Sequence, residues 1–191
     1  MLKILNQFRL GLVLLTSGGV LMLAGVAEAA PPSPGVGYHL QFKHSGMCLD
    51  NPSASTLDST PQQQYLCVNY ADNERWKFEP AGNDRSGRQF YLIRNVASGK
   101  CLNIAWGSLT DGETVVQYQC GQQWDNERFA LIPVDDGAGD YYKLMAYHSK
   151  KCVNVAGAST ELHAAIIQYE CNGYWPQGTD NMNVRLLEIP K

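Results

Sequence analysis

The chain has 191 residues, of which 45% are hydrophobic and 17% charged, a composition typical of a folded globular protein rather than a disordered segment. Fifteen basic and eighteen acidic residues give a net charge of −3 at neutral pH. Without any run of Lys or Arg, the chain has no patch that would hold a phosphate backbone, which argues against a nucleic-acid partner.

The N-terminal segment, residues 1–29, has the pattern of a secretory signal peptide. Lys3 and Arg9 precede an apolar stretch over 10–26, and small residues surround the predicted cleavage site after Ala29. The alternative is an uncleaved membrane anchor, but the stretch is at the short limit for a span and is diluted by polar and Gly residues. We therefore expect a secreted or periplasmic protein, with a short linker at 30–37.

The mature part carries three copies of one sequence unit. Its six cysteines form three pairs, each with members 19 positions apart: Cys48 and Cys67, Cys101 and Cys120, Cys152 and Cys171. Other residues keep the same register, among them a Tyr ten before each first Cys (Tyr38, Tyr91, Tyr142) and a Gln three before each second Cys (Gln64, Gln117, Gln168). The repeats are predicted over 38–80, 91–133 and 142–190, joined by turn-rich links.

Each repeat has the alternation of about four short strands, as in "YHLQF" and "VVQYQC", and no segment of the mature chain has a sustained helical period. Twelve strands in total are expected. One such unit is too small to bury its apolar face alone, so the three are expected to share one core.

The cysteines are expected to form disulfides within the repeats. Six cysteines allow many pairings, but the repetition selects Cys48–Cys67, Cys101–Cys120 and Cys152–Cys171. Each closes a short loop and contributes about 3 kcal/mol to stability in the chain-entropy model. A metal site is disfavoured because His is sparse and no Cys-x-x-Cys occurs, so neither a metal nor another cofactor is expected.

The combined pattern resembles the ricin-type lectins. The resemblance rests on the paired cysteines, the "CLD" or "CLN" element, the "QY-x-C" strand and the "NERW" ending, and it covers 38 to about 190. It implies an all-β protein, a β-trefoil of three repeats of about 45 residues each, with up to three sugar sites, one per repeat. Glu74, Glu127 and Met182 stand where the family has Gln, a departure that bears on the fold signature more than on binding.

A shallow sugar site needs a carboxylate for paired hydroxyls, an aromatic ring for the apolar face and an amide for a further hydroxyl. The family's positions carry over to the first repeat as Asp50, Gln63, Tyr65 and Asn73. The equivalent residues are Asn103, Tyr118 and Asn126 in the second repeat and Asn154, Tyr169 and Asn181 in the third. Because Asn cannot accept two charge-assisted bonds, the first repeat is expected to hold the best site.

Structural roles for the same residues remain open. The repeated tyrosines could be packing residues that the fold needs three times, and Asp50 could cap a turn. Trp124 and Trp175 could extend the stacking surface, although loop packing is the favoured interpretation, and Trp106 is expected in an exposed loop.

No catalytic motif is present, and the repeats use up the mature chain, so an enzyme is not expected. The main hypothesis is a lectin for cell-surface or extracellular glycans, galactose being the commonest choice in the family. One alternative is the cell-binding subunit of a toxin whose enzyme is a separately encoded chain. Another is a trefoil that binds no sugar and acts as a structural or inhibitory protein.

Overall fold

A computed structural model describes residues 31–121, 123–134, 140–171 and 180–189. Within these ranges the regular structure consists of strands and short 3₁₀ turns, without an α-helix. The predicted signal peptide and Trp175 lie outside the described residues. No helix in the described ranges is long and apolar enough to span a membrane.

The described residues form thirteen strands, one more than expected. In chain order they are β1 Gly37–Phe42, β2 Cys48–Asp50, β3 Thr60–Pro61, β4 Gln63–Tyr65, β5 Arg75–Asn83, β6 Gln89–Asn95, β7 Cys101–Ile104, β8 Val115–Tyr118, β9 Phe129–Pro133, β10 Tyr141–Ala146, β11 Cys152–Val155, β12 Ile166–Tyr169 and β13 Asn183–Glu188. The additional strand is the two-residue β3, whose counterparts around Thr114 and Ala165 form single bridges instead.

Six of the strands close into an antiparallel barrel. The ring runs β1, β5, β6, β9, β10, β13 and back to β1, and the closing pair sets Leu40 opposite Leu186. A closed ring has no unpaired sheet edge. The remaining long pairings are three hairpins, β2 with β4, β7 with β8 and β11 with β12. This arrangement is the β-trefoil, and the expected fold class is confirmed.

The core consists of layers to which each repeat contributes one equivalent residue. Leu40, Ile93 and Leu144 form one such set, and all three are buried. Trp76 is fully buried as well, and its indole N–H donates to the carbonyl oxygen of Leu49 at 3.0 Å, so the one polar atom of the ring is satisfied. The alternation read from the sequence thus places the same face of each strand inside.

The three predicted disulfides are present, with Cα–Cα distances of 5.1 Å for Cys48–Cys67, 5.0 Å for Cys101–Cys120 and 4.9 Å for Cys152–Cys171. His39 lies within 4.8 Å of both sulfur atoms of the first bridge. Because these sulfur atoms are bonded to each other, they are not available as thiolate ligands for a metal.

Candidate functional site

Three of the four first-repeat residues predicted to bind sugar meet at the loop end of the β2–β4 hairpin, and the fourth, Tyr65, lies two residues further along β4. Asp50 ends β2 and faces Gln63 across the antiparallel pair with β4. Gln63 Nε2 donates to Asp50 Oδ2 at 2.6 Å, and Asn73 Nδ2 donates to Asp50 Oδ1, also at 2.6 Å. Asn73 comes from the 3₁₀ turn Asp72–Glu74, and Tyr65 ends β4. Each carboxylate oxygen therefore accepts one amide and retains a second lone pair.

Opposing effects act on the ionisation of Asp50. The side chain is only 2% exposed, and burial raises the pKa of Asp50 above its ordinary value. The hydrogen bonds from Gln63 and Asn73 and the nearby His163 act in the opposite direction, so the pKa rises less than burial alone would raise it. These donors stabilise the charged form that a pair of sugar hydroxyls requires.

His163, a residue that the sequence analysis did not select, completes this cluster from the third repeat. Its Nδ1 lies 3.0 Å from Gln63 Oε1, and its ring centroid is 5.0 Å from that of Tyr65. Because the Gln63 amide nitrogen donates to Asp50, its oxygen faces His163, and His163 must donate from Nδ1. The repeat register carried no signal for this role, since the equivalent positions hold Ser59 and Gly112.

The second repeat has the same frame without the charge. Asn126 Nδ2 donates to Asn103 Oδ1 at 2.7 Å and to the carbonyl oxygen of Ile104 at 2.8 Å. Opposite Asn103 stands Val116, which offers no amide. The second-repeat residues are therefore brought together, but they provide no carboxylate.

An open groove of about 770 Å³ lies beside this second cluster. Its lining includes Asn103, Trp106, Tyr118 and Trp124. The rings of Tyr118 and Trp124 are 5.6 Å apart, and Trp124 remains 46% exposed while making this contact. The interpretation of Trp124 as loop packing thus accounts for only part of its surface.

The third repeat also lacks a carboxylate at the equivalent position. Asn181 Nδ2 donates to Asn154 Oδ1 at 2.8 Å and to the carbonyl oxygen of Val155 at 3.1 Å. Ile167 faces Asn154 across the hairpin, and Tyr169 ends the partner strand. The frame is present, with an apolar side chain where the first repeat has Gln63.

The tyrosines at the hairpin ends differ from those of the core. Tyr38, Tyr91 and Tyr142 are buried in the barrel. Those at the sites are only partly covered: Tyr65, Tyr118 and Tyr169. Each site tyrosine thus keeps part of its surface open to solvent.

Glu74 and Glu127, which replace the family's Gln, are buried and accept backbone hydrogen bonds. Glu74 Oε2 accepts from the N–H of Val68 at 2.7 Å, and Glu127 Oε2 accepts from that of Gly121 at 3.2 Å. Burial raises the pKa of Glu74 to about 7, and the nearby charge of Asp50 adds to the effect. A carboxylate oxygen makes the contact that an amide oxygen would, so the substitution preserves the local structure.

A closed barrel with three equivalent hairpins, each with a polar cluster at its loop end and a tyrosine at the far end of its second strand, defines a lectin-like β-trefoil. The chain belongs to the family of ricin-type beta-trefoil lectin domain-like proteins, whose model matches residues 27–88 and 84–169. A search of curated proteins finds no match.

Solved structures share the fold. The designed threefold-symmetric protein ThreeFoil is 36% identical over 79% of this chain and 97% of its own, with a TM-score of 0.68. An exo-beta-1,3-galactanase from Clostridium thermocellum is 25% identical over 83% of this chain but only 31% of its own, with a TM-score of 0.69. The Rhizoctonia solani agglutinin is 19% identical over 85% of this chain and 100% of its own, with a TM-score of 0.64, and shows the fold alone.

Proposed function

We propose that this protein is a secreted carbohydrate-binding protein whose main site lies in the first repeat. The observation that carries the proposal is the Asp50 carboxylate, held by Gln63 and Asn73 at 2.6 Å each beside the partly exposed Tyr65 ring. This set combines an oriented anionic acceptor with an aromatic face. The acceptor can bind adjacent sugar hydroxyls, and the aromatic ring can cover the apolar face of the sugar.

The other two repeats are proposed to bind more weakly at the same position. Asn103 and Asn154 replace the carboxylate, and each already accepts a hydrogen bond at its oxygen. A hydrogen bond to a charged group contributes about 1.5–3 kcal/mol against about 1 kcal/mol for a neutral one. The difference of about 0.5–2 kcal/mol corresponds to roughly two- to thirtyfold in affinity for each hydrogen bond.

Galactose-type glycans are the ligands that we propose. The family resemblance favours them, and the likeness to part of an exo-beta-1,3-galactanase supports the choice. Because the chain corresponds to less than a third of that enzyme, binding rather than hydrolysis is the activity proposed here. The three disulfides suit an oxidising compartment and support the proposal of export.

A glycan array with the purified protein tests the proposal. The protein is compared with Asp50→Ala and with Asp58→Ala, which removes a partly exposed carboxylate paired with Lys100 instead. We expect glycan binding that Asp58→Ala retains and Asp50→Ala largely loses. Equal binding by all three proteins would place the main site elsewhere, and binding by none of them would contradict a lectin.

The alternative roles make different predictions for the same protein. A toxin subunit would copurify with a separately encoded chain in a native pull-down while still binding glycans. A structural or inhibitory trefoil would bind a protein and no glycan on the array.

A further inference from the structure

Trp106 is an unusually placed aromatic residue. It lies in the 3₁₀ turn Ala105–Gly107, it is 93% exposed, and its φ is +58°. The left-handed region disfavours residues that carry a Cβ, and a large apolar ring in solvent gains no burial. A Trp at this position therefore contributes little to the stability of the fold. Residues with a strained backbone of this kind cluster at functional sites.

The equivalent turns show that the trefoil does not need an aromatic here. The first repeat has Ser53 at φ +52°, and the third has Gly157 at φ +61°. The backbone keeps its left-handed conformation with any of the three side chains, so only the second repeat adds a ring.

Trp106 lines the same groove as Tyr118 and Trp124. The three rings come from separate segments: the turn after β7, the end of β8 and the loop after Cys120. The amides of Asn103 and Asn126 line the groove too and are fixed to each other at 2.7 Å. Aromatic faces beside oriented amides suit a ligand with apolar ring faces and polar edges.

The size and charge of the groove indicate which class of ligand it can bind. A volume of about 770 Å³ is within the roughly 300–1,000 Å³ range of pockets that take drug-sized ligands, so the open groove has room for more than one sugar ring. Glu113 and Asp125 line it, which disfavours an anionic ligand by like-charge repulsion. Asp125 is paired with Arg128 at 3.1 Å, whereas Glu113 Oε1 accepts from the backbone N–H of Thr114 at 3.0 Å.

We propose that Trp106 is a ligand-binding residue that extends the second-repeat site into a groove for a neutral oligosaccharide of two or more sugar residues. The inference rests on the proposed function, because it assumes that the protein binds glycans. It goes beyond that function because it assigns a preference for longer oligosaccharides to the second repeat. It also gives a binding role to Trp106, which lies outside the family positions.

The test uses Trp106→Gly in an Asp50→Ala background, so that the first-repeat site does not mask the second. Gly tolerates a positive φ without strain, so the melting temperature is expected to stay the same or rise. Leu109→Ala is the matched control, since Leu109 is an exposed apolar residue two positions past the turn and does not line the groove. All variants retain the three disulfides.

The probes are neutral mono-, di- and trisaccharides of galactose, N-acetylgalactosamine, glucose, mannose and xylose, with sialyllactose as the anionic comparison. For Asp50→Ala we expect affinity that rises from mono- to trisaccharide. Adding Trp106→Gly should weaken di- and trisaccharide binding about tenfold, as expected on removing one stacked ring, whereas Leu109→Ala should change it little.

Two outcomes would overturn this inference and leave the proposed function intact. One is that Asp50→Ala binds no oligosaccharide while the unaltered protein does, and the other is that Trp106→Gly leaves oligosaccharide binding unchanged. Failure of the unaltered protein to bind any saccharide would instead overturn the proposed function and this inference with it.

Discussion

The side-chain amide of Gln117 donates to the carbonyl oxygen of Ser55 at 2.7 Å and to that of Leu57 at 3.0 Å. Gln117 belongs to the second repeat and both acceptors to the first. The Gln117 oxygen accepts from the Ser98 hydroxyl at 2.7 Å, so the amide is satisfied at both ends although it is fully buried. One glutamine thus fixes the loop of one repeat against the hairpin of the next.

The same contact recurs around the pseudo-threefold axis. Gln168 of the third repeat donates to the carbonyl oxygen of Ser108 in the second at 2.8 Å. Gln64 of the first repeat donates to that of Ser159 in the third at 2.9 Å. Each hairpin end is therefore built against a neighbouring repeat, which is why His163 can reach the first-repeat site.

Replacing Gln117 by Leu should strongly destabilise the fold. Leu has a similar volume but removes the two hydrogen bonds that the Gln117 amide donates and the one that it accepts from the Ser98 hydroxyl, each of which contributes about 0.5–1.5 kcal/mol. The carbonyl oxygens of Ser55 and Leu57 keep their donors from Asn51 and Thr60. We expect a loss of about 3 kcal/mol in the free energy of unfolding, measured with urea. Gln123→Ala, at an exposed glutamine, should change it by less than about 0.5 kcal/mol, and equal effects for the two variants would contradict this account.

Glu74 should make the stability depend on pH. Burial raises the pKa of Glu74 from 4.5 to about 7, so the folded state holds this proton more tightly than the unfolded state does. The contribution of Glu74 to the free energy of unfolding is therefore fully present below pH 4.5. As the pH rises toward 7, roughly 3 kcal/mol of this contribution is lost. Burial and Arg75 lower the pKa of His39, which acts in the opposite direction as the pH rises through 6.5.

Comparison with Glu74→Gln isolates the contribution of Glu74. The new amide oxygen can accept the Val68 N–H without titrating, so the variant should be the more stable protein at pH 8 and similar to the unaltered protein near pH 5. Glu79→Gln gives a contrast of opposite sign, because the hydrogen bond from Arg94 lowers the pKa of Glu79. Parallel pH profiles of urea unfolding for the unaltered protein and Glu74→Gln would refute the assignment.

The sequence predicted the features that recur with the repeat. The 19-residue Cys spacing predicted the three disulfides, and the small size of each repeat predicted one core shared by all three. The family resemblance selected Asp50, Gln63 and Asn73 together, and the structure brings their side chains into contact.

Features that belong to one repeat only were not predictable in this way. His163 stands 100 positions from Gln63, and its counterparts Ser59 and Gly112 have nothing chemical in common with it. The groove beside Trp106 depends on how loops of different repeats meet, which no local pattern records. The buried position of Glu74 follows from packing around the Val68 N–H rather than from residue type.

Removing His163 should weaken the first-repeat site without destabilising the protein. His163 is exposed, so His163→Ala should change the free energy of unfolding by less than about 0.5 kcal/mol. Glycan affinity is expected to fall about three- to tenfold, because Gln63 loses the Nδ1 donor and Tyr65 its ring neighbour. His163→Phe keeps the ring and removes the donor, so its glycan affinity should lie between those of the unaltered protein and His163→Ala. Unchanged affinity for both variants in calorimetry would rule out a contribution of His163 to the site.

Asn103→Asp should strengthen the second-repeat site. Asn126 Nδ2 already donates to Asn103 Oδ1, so the new carboxylate would have one donor in place. In an Asp50→Ala background we expect roughly tenfold tighter glycan binding, from charge-assisted hydrogen bonds to the sugar hydroxyls. Adding Val116→Gln would supply the amide that stands opposite Asp50 in the first repeat and should increase the gain. A weaker or unchanged affinity would show that the missing carboxylate does not limit this site.

The most direct test of the central claim is an NMR titration that follows side-chain amide resonances as the glycan identified on the array is added. The account predicts that the Gln63 and Asn73 side-chain amides shift first and saturate at the lowest glycan concentration, and that Asp50→Ala abolishes these changes. Saturating shifts confined to the Asn103 and Asn126 amides, or to the Asn154 and Asn181 amides, would contradict a main site in the first repeat.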